Sequence, residues 1–162
     1  MTAVVIALGS NLGDRIANLR AALQLLGDEH ITVTARSSVW ETAPIPADQP
    51  AFLNAVVTAE TGLLPEDLLA ALKRIEHALG RRPERRCGPR PVDLDILFYG
   101  DESVHTFALV IPHSGITHRA FVLAPLSEVL PGPLPLLGKT AIQLLTAVGH
   151  EGLARTGFTL EP

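Results

Sequence analysis

Two aspartates, Asp93 and Asp95, stand one residue apart at the start of an apolar run, residues 96–99. The run predicts a buried β-strand. Alternate side chains on a strand share a face, so the two carboxylates are expected on one face, about 7 Å apart. Mg²⁺ prefers oxygen ligands and commonly takes one or two carboxylates while phosphates and water complete its shell. The pair is therefore a candidate magnesium site at the start of a strand.

Five of the thirteen basic residues lie in the segment just before this pair, residues 81–90. Gly88 and Pro89 within the segment indicate a loop that leads into the strand. Guanidinium groups can hold phosphate oxygens in bidentate fashion. The segment therefore favours a polyphosphate next to the metal, and its arginines are Arg81, Arg82, Arg85, Arg86 and Arg90.

Each motif also has a simpler interpretation. A run of arginines is more often a solvated face, and an Asp-x-Asp pair is more often an exposed strand end. Here the two features adjoin each other, and the aspartates belong to an otherwise apolar strand, where isolated charge is costly to bury. Taken together they favour a site for a polyphosphate and a metal.

The composition is that of a folded chain of 162 residues, with 47% hydrophobic residues and a net charge of −4. This length suits one domain, residues 1–162, with a sizeable core, and the hydrophobic content argues against disorder. The negative charge argues against a nucleic-acid partner, although residues 81–90 form a local anion site.

The single cysteine, Cys87, excludes an intrachain disulfide and fits a reducing compartment. The first residues lack the basic segment and apolar stretch of a signal peptide. No apolar run reaches the length of a membrane span. We therefore expect a cytoplasmic protein that acts as a monomer and has no membrane partner.

Hydrophobic periodicity predicts the element order β-α-β-β-α-β through the aspartate strand. Pro65 suits the first position of the second helix, and Glu66 and Asp67 suit its positive N-terminus. The order matches a split βαβ, ferredoxin-like core of the α/β (α+β) class, with a mostly antiparallel sheet. The strands are predicted at residues 4–8, 31–40, 52–60 and 96–99, and the helices at residues 15–26 and 65–79.

Further elements are expected as additions to this core. A short strand is predicted at residues 109–111, and Thr117 is expected to cap a helix over residues 118–123 that ends near Pro125. A last helix is predicted at residues 141–148. The sequence after it predicts no element.

Two polar residues allow more than one interpretation. Asn54 lies inside the predicted strand 52–60, where its amide must find hydrogen-bond partners. It fits equally a structural amide and an amide that reads a ligand. Glu76 lies off the apolar face of the second helix, which by itself indicates a structural, solvent-facing position.

Five sequence blocks resemble 6-hydroxymethyl-7,8-dihydropterin pyrophosphokinase, a family of enzymes of folate biosynthesis. The resemblance covers roughly residues 4 to 130 and is specific because all five blocks keep the family's order and spacing. It implies a three-layer αβα fold on a ferredoxin-like core, which agrees with the predicted element order. The blocks are Gly88-Pro89-Arg90-Pro91-Val92-Asp93-Leu94-Asp95-Ile96-Leu97, Leu8-Gly9-Ser10-Asn11-Leu12-Gly13, Phe52-Leu53-Asn54-Ala55, Arg74-Ile75-Glu76 with Leu79-Gly80-Arg81, and Pro112-His113 with Arg119-Ala120-Phe121.

The resemblance implies the transfer of diphosphate from ATP to the hydroxymethyl group of the pterin, which leaves AMP. It implies that Asp93 and Asp95 hold two Mg²⁺ ions that bridge the ATP phosphates, and that Arg81 and Arg90 assist the transfer. The same comparison assigns ATP contacts to Glu76, Arg86, Arg90, Ile96, His113 and Arg119. It assigns pterin contacts to Thr42, Ala43, Pro44, Ile45, Phe52, Asn54 and Phe121, with the two phenylalanines stacking on the ring and Asn54 reading its edge.

Two other classes of function remain open. Another Mg²⁺-dependent nucleotidyl- or glycosyltransferase would use the aspartates and arginines but would not explain the Phe52, Asn54 and Phe121 set. A non-catalytic, ferredoxin-like ligand-binding module would need neither the paired carboxylates nor the arginine-rich loop. The chain also departs from the family pattern in the arginine-rich loop and near the ATP contacts, at Pro83, Cys87, Ala108, Val110 and Ser114.

Overall fold

An antiparallel sheet forms the middle layer of the protein, whose computed structural model describes residues 1–42, 50–80 and 90–161. A separate two-stranded hairpin follows the sheet's fifth strand. The strands are β1 (Thr2–Ser10), β2 (Ile31–Arg36), β3 (Trp40–Thr42), β4 (Phe52–Thr61), β5 (Asp93–Tyr99), β6 (Val104–His105), β7 (Val110–Ile111) and β8 (Leu153–Arg155), of which β6 and β7 form the hairpin.

The strand order confirms the ferredoxin-like core. The sheet runs β5-β1-β4-β3-β8, and β2 pairs with β4 as well. Since β1 occupies one edge of β4, β2 and β3 share the other edge, β2 against its second half and β3 against its first. Counted as one interrupted strand, they complete the βαββαβ pattern.

Four helices cover the two faces of the sheet and complete the three αβα layers. They are α1 (Arg15–Asp28), α2 (Pro65–Ala78), α3 (Ala120–Val129) and α4 (Ala141–Val148). One hydrophobic cluster lies between the sheet and α1 with α2, and a second lies between the sheet and α3 with α4. Within the described ranges, no helix combines the length and the apolar character that crossing a membrane requires.

Helix starts follow the local sequence. Asp14 caps α1, because its side chain accepts a hydrogen bond from the N–H of Ala17. Pro65 begins α2 as predicted, with Glu66 and Asp67 in its first turn. Thr140 and Gln143 form a capping box at α4, whose predicted bounds are confirmed.

The predicted single strand over residues 31–40 is wrong, because it is interrupted between β2 and β3. Ser37 sits at the break. Its N–H donates to the Val56 carbonyl, and its hydroxyl accepts from the Val56 N–H, both at 2.9 Å. A side-chain oxygen thus replaces a backbone carbonyl in the ladder, and the strand deviates there.

The predicted helix over residues 118–123 is also wrong. A 3₁₀ turn spans Ile116–His118, and Arg119, not Thr117, occupies the N-cap of α3. The helix continues through Pro125, which has no N–H for the carbonyl four residues earlier. Residues 122–126 are buried against the sheet, and this burial offsets the lost hydrogen bond.

Candidate active site

A cavity of about 780 Å³ opens on the side of the sheet that carries α3 and α4. This volume lies in the range of small-molecule sites. Both residues predicted for the metal line it, together with some of those predicted for ATP and for the pterin. They are Thr42, Phe52, Asn54, Arg90, Asp93, Asp95, Arg119 and Phe121.

Strand alternation directs the aspartates into the cavity. Leu94 and Ile96 pack into the cluster beneath α1 and α2. Asp93 and Asp95 occupy the alternate positions of β5, and both line the cavity on the opposite face. The predicted shared face of the two carboxylates is therefore confirmed.

Gly9 stands between the two halves of the cavity. In the sheet it pairs with Asn54 of β4 on one side and with Asp93 of β5 on the other. Adjacent strands lie about 4.8 Å apart, so the Asn54 and Asp93 backbones are separated by roughly 10 Å. The Asn54 amide and the carboxylates of Asp93 and Asp95 thus lie at two ends of one cavity.

The carboxylate pair creates an unfavourable concentration of negative charge. Burial raises the pKa of Asp95 above its ordinary value, and the nearby charge of Asp93 raises it further. Positive charge from His113, Arg119 and Lys73 opposes this shift. A bound cation would relieve the same repulsion, so the pair has the electrostatics expected of a metal site.

Arg90 joins the carboxylates to a potential anion site. Its Nη1 donates to Asp93 Oδ2 at 3.1 Å. Its Nε is buried and has no hydrogen-bond partner among the described residues. Arg90 itself lines the cavity, where guanidinium N–H groups suit an incoming phosphate oxygen.

At the other end of the cavity, Asn54 donates from Nδ2 to the Thr42 hydroxyl at 2.7 Å. The residue is buried and retains 6% exposure. The hydrogen bond holds the amide in one orientation at the cavity wall. Asn54 therefore has both a structural partner and access to a ligand.

Arg119 and Phe121 form a further wall. The guanidinium carbon of Arg119 lies 5.9 Å from the centre of the Phe121 ring, within cation–π range. Gly115 provides the space for this arrangement: an ideal Cβ there would lie 2.5 Å from Arg119 Nε. The side chain of Arg119 thus depends on a neighbouring glycine.

Comparison with known proteins gives the family. The model of the 7,8-dihydro-6-hydroxymethylpterin-pyrophosphokinase family matches residues 5–131. The chain belongs to this family. It is 43% identical over 157 residues to the 2-amino-4-hydroxy-6-hydroxymethyldihydropteridine pyrophosphokinase of Methylorubrum extorquens, covering 96% of this chain and 99% of that protein.

Some pyrophosphokinase relatives are much longer. The chain is 54% identical over 128 residues to the mitochondrial folate synthesis bifunctional protein of Pisum sativum. The matched residues make up 78% of this chain and 25% of the relative. This chain thus spans about a quarter of the plant proteins it matches. A crystal structure of Plasmodium falciparum HPPK-DHPS with pteroate shares the fold, with a TM-score of 0.73, 16% identity, and coverage of 90% of this chain and 44% of that one.

Three residues that the pyrophosphokinase resemblance assigned to ATP do not line the cavity. Ile96 lies in the core beneath α1 and α2. His113 lies beside the cavity, with Nε2 3.9 Å from Asp95 Oδ1. Glu76 is buried, which contradicts the solvent-facing position that the helix pattern indicated, and its carboxylate accepts a hydrogen bond from the N–H of Leu94 at 2.8 Å.

Five predicted residues of the pyrophosphokinase site lie outside the described residues. They are Ala43, Pro44 and Ile45 for the pterin, Arg81 for the transfer and Arg86 for ATP. The first group, residues 43–49, follows Thr42 in the sequence, and the second, residues 81–89, precedes Arg90. Thr42 and Arg90 both line the cavity.

The sequence did not reveal the role of Asn11, which is fully buried. Its Oδ1 accepts from the Arg90 N–H at 2.7 Å, and its Nδ2 donates to the Pro50 carbonyl at 3.2 Å. It thereby links Pro50 and Arg90, which are distant from each other in the chain. A signal was present in the family block Leu8–Gly13, but that block alone assigns no role to the amide.

Proposed function

We propose that this chain transfers diphosphate from ATP to the hydroxymethyl group of 6-hydroxymethyl-7,8-dihydropterin, as part of folate biosynthesis. One observation carries the proposal: the carboxylates Asp93 and Asp95 and the Phe52, Asn54 and Phe121 set line a single cavity. A nucleotidyltransferase of another kind would need the first group only. The family match supports the same reaction.

In the proposed reaction, the pterin hydroxyl oxygen bonds to the β-phosphorus of ATP. The bond from that phosphorus to the oxygen bridging it to the α-phosphorus breaks, and AMP leaves with the bridging oxygen. The hydroxyl proton is released, and the pterin diphosphate is the second product. Atoms and charge balance without a further reactant.

Asp93 and Asp95 fit the two Mg²⁺ ions that the resemblance implies. Their carboxylates share a face and line the cavity. Burial, and then repulsion from Asp93, raise the pKa of Asp95. Among the described residues no group of three or more His, Cys, Asp or Glu suits a metal, so phosphate and water oxygens would complete the coordination. Bound magnesium would neutralise phosphate charge and align the reacting groups.

The cationic residues bind and orient the triphosphate in this proposal. Arg90 lines the cavity, and its ion pair keeps its guanidinium beside Asp93. Arg119 and His113 lie near the same carboxylates. Preorganised positive charge of this kind stabilises charge that develops during transfer, and the proposed set of cations also includes Arg81 and Arg86. Glu76 and Ile96 lie on the opposite side of β5 and do not belong to this set.

The opposite end of the cavity holds the pterin in this proposal. Phe52 and Phe121 supply flat faces for stacking, and Asn54 reads the ring edge by hydrogen bonds. Thr42 keeps the amide oriented. A buried set of matched donors and acceptors rejects analogues that leave them unpaired, and the backbone groups of Ala43, Pro44 and Ile45 are proposed to complete the set. The proposal further includes action as a cytoplasmic monomer of one domain, residues 1–162.

The test is AMP formation from ATP and Mg²⁺, with and without the dihydropterin. Wild type is expected to form AMP only with the pterin and the metal. Asp93→Asn and Asp95→Asn are expected to lose roughly 100-fold or more in turnover, because a metal contributes several kcal/mol to such transfers. Asp101→Asn, at an exposed turn, is the matched control and should retain activity.

Pterin binding to each variant is measured separately by fluorescence. The aspartate variants are expected to bind the pterin while failing to turn over. AMP formation at the same rate with and without the pterin would overturn the proposal. So would full activity in both aspartate variants.

A further inference from the structure

The turn between α4 and β8 forms one wall of the cavity. This wall lies opposite β5, the strand that carries the two carboxylates. Val148, Gly149, Glu151, Gly152 and Leu153 all line the same cavity as Phe52 and Asn54. Gly149 and Gly152 have φ values of 92° and 74°, so two positive-φ residues shape this turn. The C-terminal part of the chain is thus a part of the site.

Sheet register places Leu153 at the pterin end of the cavity. It pairs with Thr42 of β3, and Thr42 pairs with Phe52 of β4. The three residues therefore form a row across adjacent strands. Leu153 also packs against the buried cluster beneath α3 and α4, as Trp40 and Phe121 do.

The wall is held firmly on its C-terminal side. Arg155 donates from Nη2 to Ser38 Oγ at 2.8 Å and to Glu128 Oε2 at 3.1 Å. The N–H of Thr156 and its hydroxyl both donate to the Val39 carbonyl, at 3.0 and 2.8 Å. Backbone pairing with β3 and this side-chain clamp fix β8, so Leu153 presents a defined surface.

This wall lies outside the part of the chain that the family model matches, residues 5–131. The carboxylates, Asn54 and both phenylalanines lie inside it. Contacts made by Leu153 therefore come from a segment outside the matched region. A specificity contributed there would be separable from the chemistry of the matched region.

We propose that Leu153 is a specificity-determining residue, which limits the size of the ring system accepted at the pterin end. The inference rests on the proposed function. A flat bicyclic ring between Phe52 and Phe121 has its edge exposed to the cavity walls, and Leu153 is an apolar wall beside Thr42. Apolar contacts of this kind discriminate single methyl groups by roughly 10-fold or more.

The first test replaces Leu153 with alanine. Leu153→Ala should raise KM for 6-hydroxymethyl-7,8-dihydropterin by about tenfold and leave KM for ATP unchanged, because the removed contact touches only the pterin. The preference for this substrate over an analogue with one added methyl group on its pyrazine ring should fall by a similar factor. Pterin affinity is measured directly by fluorescence titration as well.

The matched control is Leu144→Ala. Leu144 packs on the same cluster as Leu153 but does not line the cavity. Both variants lose the same atoms from similar surroundings, so a general loosening would affect them equally. Equal changes in pterin KM, or equal changes in both substrates' KM for Leu153→Ala, would overturn the inference.

A second variant, Leu153→Phe, tests the inference even if Leu153→Ala folds poorly. Leu153→Phe adds volume towards the cavity and should exclude the methylated analogue more strongly than wild type does. If this variant accepts both pterins as wild type does, the inference fails. The proposed function fails separately, through absence of pterin-dependent AMP formation in wild type.

Discussion

Glu76 accepts a hydrogen bond from the backbone N–H of Leu94 at 2.8 Å, and Leu94 is the residue between the two aspartates. Glu76 retains 3% exposure, and Lys73 Nζ lies 3.7 Å from its other carboxylate oxygen. A carboxylate on α2 thus supports β5 from the face opposite the cavity. It fixes the backbone that carries Asp93 and Asp95.

We predict that Glu76→Ala lowers the free energy of unfolding by about 2 kcal/mol, because the buried N–H of Leu94 loses a charged acceptor. Glu76→Gln keeps an acceptor oxygen and should retain at least half of that stability. Urea unfolding measures both variants, with Glu102→Ala as a control at an exposed position outside the helices and strands. Equal losses in the Ala and Gln variants would show that the hydrogen bond contributes nothing.

Gly115 is predicted to position Arg119. A Cβ at residue 115 would lie 2.5 Å from Arg119 Nε and 2.7 Å from its Cζ, so Gly115→Ala displaces the guanidinium. We expect KM for ATP to rise by roughly tenfold, which corresponds to about 1.4 kcal/mol of lost binding. The melting temperature should change little, since the displaced group is the end of a flexible side chain.

Gly132→Ala is the control for this substitution, because no atom lies within 4 Å of its ideal Cβ. Pterin affinity should be unchanged in both variants. Should Gly115→Ala bind ATP as wild type does, the guanidinium of Arg119 contributes no ATP contact from its present position.

Gly9 is predicted to be a requirement of the pterin end. Its ideal Cβ would lie 3.2 Å from Asn54 Oδ1 and 3.5 Å from Phe52 Cδ1. Gly9→Ala therefore crowds Asn54 and makes an ordinary contact with Phe52, and we expect pterin affinity to fall by about tenfold. Gly62→Ala meets only Met1 Sδ at 3.7 Å and is the matched control. Unchanged pterin affinity in Gly9→Ala would argue against the assigned roles of Asn54 and Phe52.

Local signals sufficed for much of the fold. The bounds of α4 followed from the sequence alone, and Pro65 with its acidic neighbours marked the start of α2. These elements are set by residues that are close together in the chain. The shared face of Asp93 and Asp95 also followed from local alternation.

Features that depend on distant partners were not predictable. β8 forms because residues 153–155 pair with residues 40–42, and nothing near Leu153 indicates this. The break after β2 depends on Ser37 meeting Val56. Glu76 looked solvent-facing because its partner, Leu94, belongs to another element. The wall at Leu153 was missed for the same reason.

The central claim is transfer of diphosphate as one unit, and phosphorus NMR of the reaction mixture tests it most directly. Wild type with ATP, Mg²⁺ and 6-hydroxymethyl-7,8-dihydropterin is expected to give AMP and a pterin diphosphate in equal amounts. Without the pterin, the ATP signals should persist. ADP with a pterin monophosphate, or free pyrophosphate without a pterin ester, would contradict the account.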